Sequence, residues 1–184
     1  MLQKILLAIA DAPDSEQILI SGLTLAQKLG AEILILHVLD PLVPHGLSTV
    51  SSPLVGGVLP MINDLEIDRY TKAWKEYEQR GIERLQAYAQ QAKERGVKTE
   101  ILQNYGDSGP LICEAAKNWS ADAIVMGRNQ KSLLSEIFLG STSHYVLHHA
   151  HCSVMVIQLP AWYSSGERLR QGVSFEPHLS ELNL

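Results

Sequence analysis

The chain has 184 residues, of which 46% are hydrophobic and 19% charged, and its formal net charge is −5. This length suits one α/β domain with a tail, and no basic run with interleaved aromatic residues indicates nucleic-acid binding. Cys113 and Cys152 are too few for a disulfide framework and lack the spacing of zinc ligands. Because strand-like residues follow Met1 directly, we expect no signal peptide and predict a cytoplasmic protein.

Short apolar runs along the chain have the length and branching of buried parallel strands. The predicted buried strands are Lys4–Ala10, Glu32–Leu39, Ala123–Met126 and Ser153–Leu159. A weaker run, Lys98–Asn104, alternates between polar and apolar residues, which is typical of an edge strand.

Amphipathic stretches separate these strands and predict helices. The apolar stripes cover Ile18–Leu29, Ile67–Ala92, Leu111–Trp119 and Ser141–His149. Gly30 and Gly96 follow the first two, as C-terminal glycines do, and Pro110 suits the first turn of the third. The alternation predicts an α/β fold: a single open, Rossmann-like parallel sheet with right-handed crossovers and helices on both faces.

The stretch after the fourth strand predicts a phosphate cradle. Gly127 ends the strand, and Gly140 precedes the hydroxyl residues Ser141, Thr142 and Ser143 that open a helix. Glycine lets a backbone approach a ligand closely, and a helix start offers unpaired N–H groups and a positive dipole end. An ordinary βα loop with a serine N-cap is the alternative interpretation.

Other polar and glycine positions fall on the same sheet edge. Asp11 follows the first strand, Val38 lies near the end of the second, and Gly127 closes the fourth. Ligands of such sheets bind at the carboxyl ends of the strands, beside the point where strand order switches. This convergence favours a small-molecule site over a plain scaffold.

A long segment, residues 41–65, follows the second strand, and it holds no charged residue from Pro41 to Asn63. Its prolines and glycines exclude a membrane-spanning helix, so we predict no membrane association. Loops of this length are usually functional or disordered, so a lid, an interface patch and disorder all remain open. Residues 160–184 are predicted to be a C-terminal tail beyond a domain covering 1–159.

From Met1 to Leu159 the chain resembles the universal stress protein family. The resemblance rests on the segments KILLAIADAPDSE, LILHVLD, YGDSGPLICEAAKNWSADAIVMGR and LGSTSHYVLHHAHCSVMVI. Nucleotide-binding members carry glycine, two residues, glycine, nine residues and then Gly-Ser or Gly-Thr. Gly127, Gly140 and Ser141 match this spacing, whereas Gln130 replaces the second glycine. Gln130 either restricts the backbone there or supplies an amide that bonds the ligand.

The resemblance implies a five-stranded sheet of order 3-2-1-4-5 and a homodimer formed through Ser153–Leu159. It implies that adenine lies near Val38, ribose near Asp11, and phosphates along Arg128–Ser143. The ligand would be ATP or AMP, and any Mg²⁺ would arrive with the phosphates. The expected contact residues are Ala10, Asp11, Val38, Met126, Gly127, Arg128, Gln130, Lys131, Gly140, Ser141, Thr142 and Ser143.

Three other patterns suggest chemistry that we do not predict. Gly106–Pro110 mimics a protease nucleophile segment, but an N-cap at Asp107 or Ser108 explains it. The histidines of 144–151 could suggest a metal site, but histidines in the last turn of a helix also suit its dipole. Asp11, Asp14 and Asp40 could hold an ion on bound phosphates, whereas solitary loop aspartates are the commoner case. We therefore predict no resident metal.

Three functions remain in competition. The first is a dimeric stress-response module that binds an adenine nucleotide and whose ligand state biases contacts with unknown protein partners. The second is a dimerisation and interaction module that has lost nucleotide binding, with Gln130 marking the loss. The third is a slow ATPase, for which the loop after Gly127 offers no evident general base before Glu136. We rank them in that order and expect no catalytic residue.

Overall fold

The computed structural model describes residues 2–12, 14–40, 64–127 and 140–158, with only the backbone of 64–67. Strands and helices alternate through these residues. In chain order they are β1 (Lys4–Ile9), α1 (Ser15–Leu29), β2 (Glu32–Leu39), α2 (Asp64–Glu94), β3 (Thr99–Tyr105), α3 (Ser108–Trp119), β4 (Ala123–Gly127), α4 (Ser141–His149) and β5 (Ser153–Ile157).

The strands form one parallel sheet in the order β3-β2-β1-β4-β5, as predicted. β1 is central, and its Leu7 pairs with Ile35 on β2 and with Val125 on β4. The chain builds outward from β1 to β3, then crosses back to β4, so the strand order switches between β1 and β4. At such a switch the flanking crossovers diverge and leave a crevice at the carboxyl edge.

Each face of the sheet buries its own apolar cluster, because alternate side chains of a strand point to opposite faces. Ile5, Leu7 and Ile9 pack with residues of α1 and α2, whereas Leu6 and Ala8 pack with α3 and α4. Full burial of a leucine or isoleucine side chain contributes about 1.5–3 kcal/mol, so these near-continuous apolar strands stabilise a two-sided core. Exposed polar groups that could bind a ligand therefore have to lie at the sheet edges, on the outer helix faces or in the loops.

The predicted helix boundaries have local causes in the structure. Gly30 and Gly96 adopt left-handed φ angles of 63° and 71°, which glycine reaches without steric cost. Asp107 caps α3, and its carboxylate accepts a hydrogen bond from the Gly109 N–H at 3.4 Å. The protease-like segment is thus the start of a helix, as the N-cap interpretation predicted.

Several predicted strand ends are wrong by one residue. β1 ends at Ile9 and not at Ala10, because the Ala10 carbonyl accepts a hydrogen bond from the Ser15 hydroxyl. β3 runs from Thr99 to Tyr105 in place of 98–104, since Tyr105 pairs with Leu39.

The ends of β4, β5 and the long loop also differ from prediction. β4 includes Gly127, which pairs with Ile157, and β5 ends at Ile157 rather than at residue 159. The predicted loop 41–65 is too long by two residues, because α2 begins at Asp64. The lid prediction for 41–65 falls mostly, and the tail prediction for 160–184 wholly, on residues outside the described ones. Among the helices described, none combines the length and apolar character needed to cross a membrane.

Candidate functional site

A buried serine at the start of α1 forms hydrogen bonds with the backbone that follows β1. The buried hydroxyl of Ser15 donates to the Ala10 carbonyl and accepts from the Ala12 N–H at 3.3 Å. The Ser15 N–H in turn donates to the Ala12 carbonyl at 3.1 Å. These bonds hold Ser15 close to Ala10 and Ala12, and both Ala10 and Asp11 are exposed at the carboxyl edge.

Asp11 is ion-paired with a residue of α2 that the sequence analysis did not identify. The Arg84 Nη1 atom lies 2.9 Å from the Asp11 Oδ1 atom, and the two side chains are 29% and 36% exposed. A pair this accessible is screened by solvent and contributes little to stability. The Arg84 guanidinium would compete with a divalent cation for the Asp11 carboxylate.

Gly127, at the end of β4, lies against α1. A Cβ atom at this position would overlap Cδ1 of Ile18 and lie 3.2 Å from its Cγ1. Close packing of α1 on β4 therefore explains why residue 127 is glycine, independently of any ligand. Met126 is buried in the cluster on the α3 and α4 face, where Val38 is half-buried.

The start of α4 offers donors at the same edge, because a helix that links two parallel strands begins near the carboxyl end of the first. Gly140 is its N-cap, with φ −54° and ψ 154° and no side-chain capping bond. Ser141 is exposed, Thr142 is half-buried and Ser143 is buried. The first-turn N–H groups of a helix have no acceptor within it, so this turn can bind an anion.

The structure therefore brings one group of predicted contact residues to the edge where β1 and β4 are adjacent. These residues are Ala10, Asp11, Val38, Met126, Gly127 and the helix start Gly140–Ser143. Arg128, Gln130 and Lys131 lie outside the described residues. Their predicted phosphate contacts remain predictions.

A buried histidine lies beside this edge. His37 on β2 is 3% exposed, and its Nδ1 atom lies 3.4 Å from Gln103 Oε1 on β3. Its Nε2 atom has no hydrogen-bond partner among the residues that the structure describes. Burial lowers the pKa of His37 below the usual histidine value and the Arg84 guanidinium lowers it further, whereas Gln103 and Asp11 act in the opposite direction. The net effect is a His37 pKa below the usual histidine value.

The C-terminal histidines make local contacts of their own. The His149 Nδ1 atom lies 2.8 Å from the Tyr145 carbonyl oxygen, and the two rings are stacked with centroids 3.9 Å apart. The rings of His144 and His148 lie 4.5 Å apart on one helix face. Across the described parts of the chain, no three His, Cys, Asp or Glu side chains are arranged to hold a metal ion.

Sequence reasoning missed Ser15 and Arg84. A serine soon after Asp11 is an ordinary helix-start residue, so nothing in the sequence indicates that the Ser15 hydroxyl bonds the backbone of the β1–α1 loop. Arg84 is one of several charged residues along α2, and its pairing depends on how α2 lies on the sheet. Gly81 is the available signal, because a glycine inside a long helix usually has a packing reason.

The chain is similar to known proteins of one family. The universal stress protein family model matches residues 1–158 of the chain. The universal stress protein Sll1388 of Synechocystis sp. is 33% identical over 158 residues, covering 84% of this chain and 97% of that protein.

Two solved structures share the fold. A universal stress protein family protein from Arabidopsis thaliana with AMP bound has a TM-score of 0.54 at 19% identity, covering 86% of this chain and 93% of that one. A universal stress protein in complex with cAMP has a TM-score of 0.56 at 16% identity, covering 86% and 98%.

Proposed function

The chain belongs to the universal stress protein family, and from that premise we propose that it binds an adenine nucleotide, ATP or AMP, at the β1–β4 edge. We further propose that it acts as a cytoplasmic, dimeric regulatory module and not as an enzyme. In this role the bound nucleotide biases the contacts that the dimer makes with other proteins.

One observation carries the nucleotide proposal. An exposed carboxylate at Asp11 and the first turn of α4, which has no side-chain cap at Gly140, lie at the carboxyl edge on either side of the strand switch point. A carboxylate accepts hydrogen bonds from ribose hydroxyls, and a helix start donates them to phosphate oxygens, so this edge offers partners for both the ribose and the phosphate of a nucleotide. The relatives solved with AMP and with cAMP support the same ligand class.

The contact residues have distinct roles in this proposal. Val38 supplies apolar contact for adenine, and Asp11 accepts from the ribose. The Ser141 hydroxyl and the N–H groups of Ser141 and Thr142 bind phosphate oxygens, and Arg128 and Lys131 add positive charge. The hydroxyl and N–H donors at the start of α4 can bind a phosphate without a resident metal. Any Mg²⁺ would be coordinated by the phosphates of the nucleotide and would bind together with it.

A second function is kept because of Gln130. Its side chain replaces the second glycine of the family's phosphate loop. A chain that cannot accept phosphate there would act through dimerisation and protein contacts alone. Slow ATP hydrolysis ranks third, because neither reasoning from the sequence nor the described site supplies a positioned general base.

The proposed dimer forms through β5. This strand is an edge of the sheet, and it carries Val154, Met155, Val156 and Ile157 in succession. The Met155 side chain is 47% exposed. Exposed edge strands with apolar side chains favour pairing with another chain, so a second copy would cover both the backbone groups and Met155.

Isothermal titration with ATP and AMP tests the nucleotide proposal, and Gly140→Val is the sharpest variant. The backbone angles of Gly140 are ones that valine also adopts, so a folded variant is expected. Two methyl groups beside the helix start would block phosphate approach, and saturable binding should be lost. Retention of wild-type affinity in this variant would contradict the proposed phosphate position.

Two further variants separate the first function from the second. Ser141→Ala should weaken binding by about 1–3 kcal/mol if its hydroxyl bonds a charged phosphate. Ser21→Ala is the matched control, because the Ser21 hydroxyl bonds the Gln17 carbonyl within α1. Gln130→Gly should change affinity only slightly. Binding by Gln130→Gly together with none by the wild type would refute the nucleotide proposal and support the interaction module.

A further inference from the structure

α2 lies unusually close to the carboxyl ends of β2 and β3 at Gly81. A Cβ atom there would overlap Gln103 Oε1 and lie 3.0 Å from His37 Nδ1. Glycine inside a helix costs about 1 kcal/mol relative to alanine, and this close approach is the packing reason for it. Gln103 secures the contact, because its Nε2 donates to the Glu78 carbonyl of α2 at 3.0 Å.

This close approach determines where Arg84 lies. Residues three apart share one face of a helix, so Arg84 follows Gly81 on the face turned toward the sheet. Its guanidinium reaches Asp11 at 2.9 Å, although Asp11 belongs to the β1–α1 loop. Tyr77 and Leu85 of the same helix are buried, which fixes α2 on both sides of the contact.

The ion pair leaves acceptor capacity on the Asp11 carboxylate. The closest approach joins Arg84 Nη1 to Asp11 Oδ1 at 2.9 Å. A carboxylate has about four acceptor sites, so one ion pair leaves others that can accept from a hydroxyl group. A loop carboxylate without this partner would sample several rotamers, and ordering it on binding costs affinity.

We propose that Arg84 is a positioning residue for ribose recognition: by pairing with the Asp11 carboxylate it orients that group to accept from a ribose hydroxyl and makes the site select ribonucleotides. This inference rests on the proposed nucleotide binding and adds a specificity that depends on how α2 is packed. Arg84 acts through Asp11 and needs no contact of its own with the ligand.

The test compares AMP with 2′-deoxy-AMP and 3′-deoxy-AMP by isothermal titration, using the full chain. A hydrogen bond to a charged group corresponds to roughly tenfold to a hundredfold in affinity, so the wild type should prefer AMP to at least one deoxy form by that factor. In Arg84→Gln this preference should shrink to about threefold or less. A general loss of structure would weaken the three ligands equally.

Arg80→Gln is the matched control. Arg80 lies one turn earlier on α2, is 54% exposed, and is paired with Glu76 at 4.0 Å. It removes the same charge from the same helix without touching Asp11, so the wild-type preference for AMP should remain. Asp11→Asn should lose the preference by itself, and adding Arg84→Gln to it should produce no further loss of selectivity.

A second readout needs no ligand. Because the Arg84 guanidinium lowers the pKa of His37, Arg84→Gln should raise that pKa, as followed by NMR titration of the ring. Unchanged ribose selectivity in a folded Arg84→Gln variant would contradict the inference alone, whereas a wild type that binds no adenylate contradicts the proposed function and the inference together.

Discussion

Substitution of Gly127 by alanine separates a glycine required by packing from one required by a ligand. The new Cβ would overlap Cδ1 of Ile18, and Ile18 is itself buried between α1 and the sheet. Overpacking of this kind costs about 1–3 kcal/mol. Gly127 does not have a left-handed φ, so alanine can adopt its backbone conformation. Alanine also lowers the conformational entropy of the unfolded chain, which stabilises the folded state by about 0.4–1 kcal/mol. We expect a net loss of about 1–2 kcal/mol in the free energy of unfolding.

Shortening Ile18 provides the matching control, because Ile18→Val removes the Cδ1 atom with which the new Cβ collides. Alone, Ile18→Val should cost about 0.5–1.5 kcal/mol. In the double variant the collision is gone, so the combined cost should be close to that of Ile18→Val alone and below the sum of the two. The resulting coupling energy should be about 1 kcal/mol or more.

Urea denaturation of the ligand-free chain at one pH measures all four free energies of the cycle. The packing explanation is wrong if Gly127→Ala is as stable as the wild type or more so. It is also wrong if the two substitutions add without coupling. In either case the requirement for glycine at 127 would have to come from the ligand.

Three further predictions concern pH, the β1–α1 loop and the edge strand. The free energy of unfolding should fall as pH drops below about 6.5, because the pKa of His37 is lower in the folded chain and the unfolded chain therefore binds protons first. In urea titrations at several pH values, His37→Gln should reduce this dependence of the free energy of unfolding on pH. Ser15→Ala should cost about 1–3 kcal/mol in the same assay, since it leaves the Ala10 carbonyl and the Ala12 N–H without their shared partner. Met155→Lys should convert the proposed dimer into a monomer in sedimentation experiments, because it puts a charge at the exposed centre of β5.

Each of these has an outcome that would contradict it. An equal pH slope in wild type and His37→Gln would show that other groups dominate the acid response. Wild-type stability in Ser15→Ala would mean that the loop is held by other contacts. A wild type that sediments as a monomer at micromolar concentration would contradict the dimer outright, and a dimeric Met155→Lys would move the interface away from β5.

The apolar patterns predicted the strands and helices that the structure describes, although four of the five strands have an end one or two residues from the predicted position. Buried parallel strands are continuous apolar runs, and the helix ends at Gly30 and Asp107 depend on local backbone chemistry that the sequence carries directly. The order 3-2-1-4-5 came from the family resemblance, since periodicity gives the elements but not the order in which they lie. The error at the end of β1 lies where the Ser15 hydroxyl bonds the Ala10 carbonyl, and those at β3 and β4 lie where Tyr105 and Gly127 extend the strand pairing.

The candidate site was predictable only in part. Residues that follow strands, such as Asp11 and Gly127, fall on one edge because parallel strands all end there. The Arg84 contact could not be predicted, since it joins residues 73 positions apart through the seating of α2 on the sheet. From the sequence, Gly127 was explained by the close approach of a ligand to the backbone. The close packing of Ile18 against Gly127 could not be predicted, because it depends on how α1 packs on the sheet.

Mass spectrometry of the small molecules bound to the chain tests the proposed function most directly. The wild type is incubated with ATP and AMP, freed of unbound ligand on a desalting column and denatured, and the released compounds are identified and counted against Gly140→Val treated alike. We predict an adenine nucleotide near one per chain from the wild type and none above background from the variant. The absence of any adenylate from the wild type would contradict nucleotide binding at the β1–β4 edge.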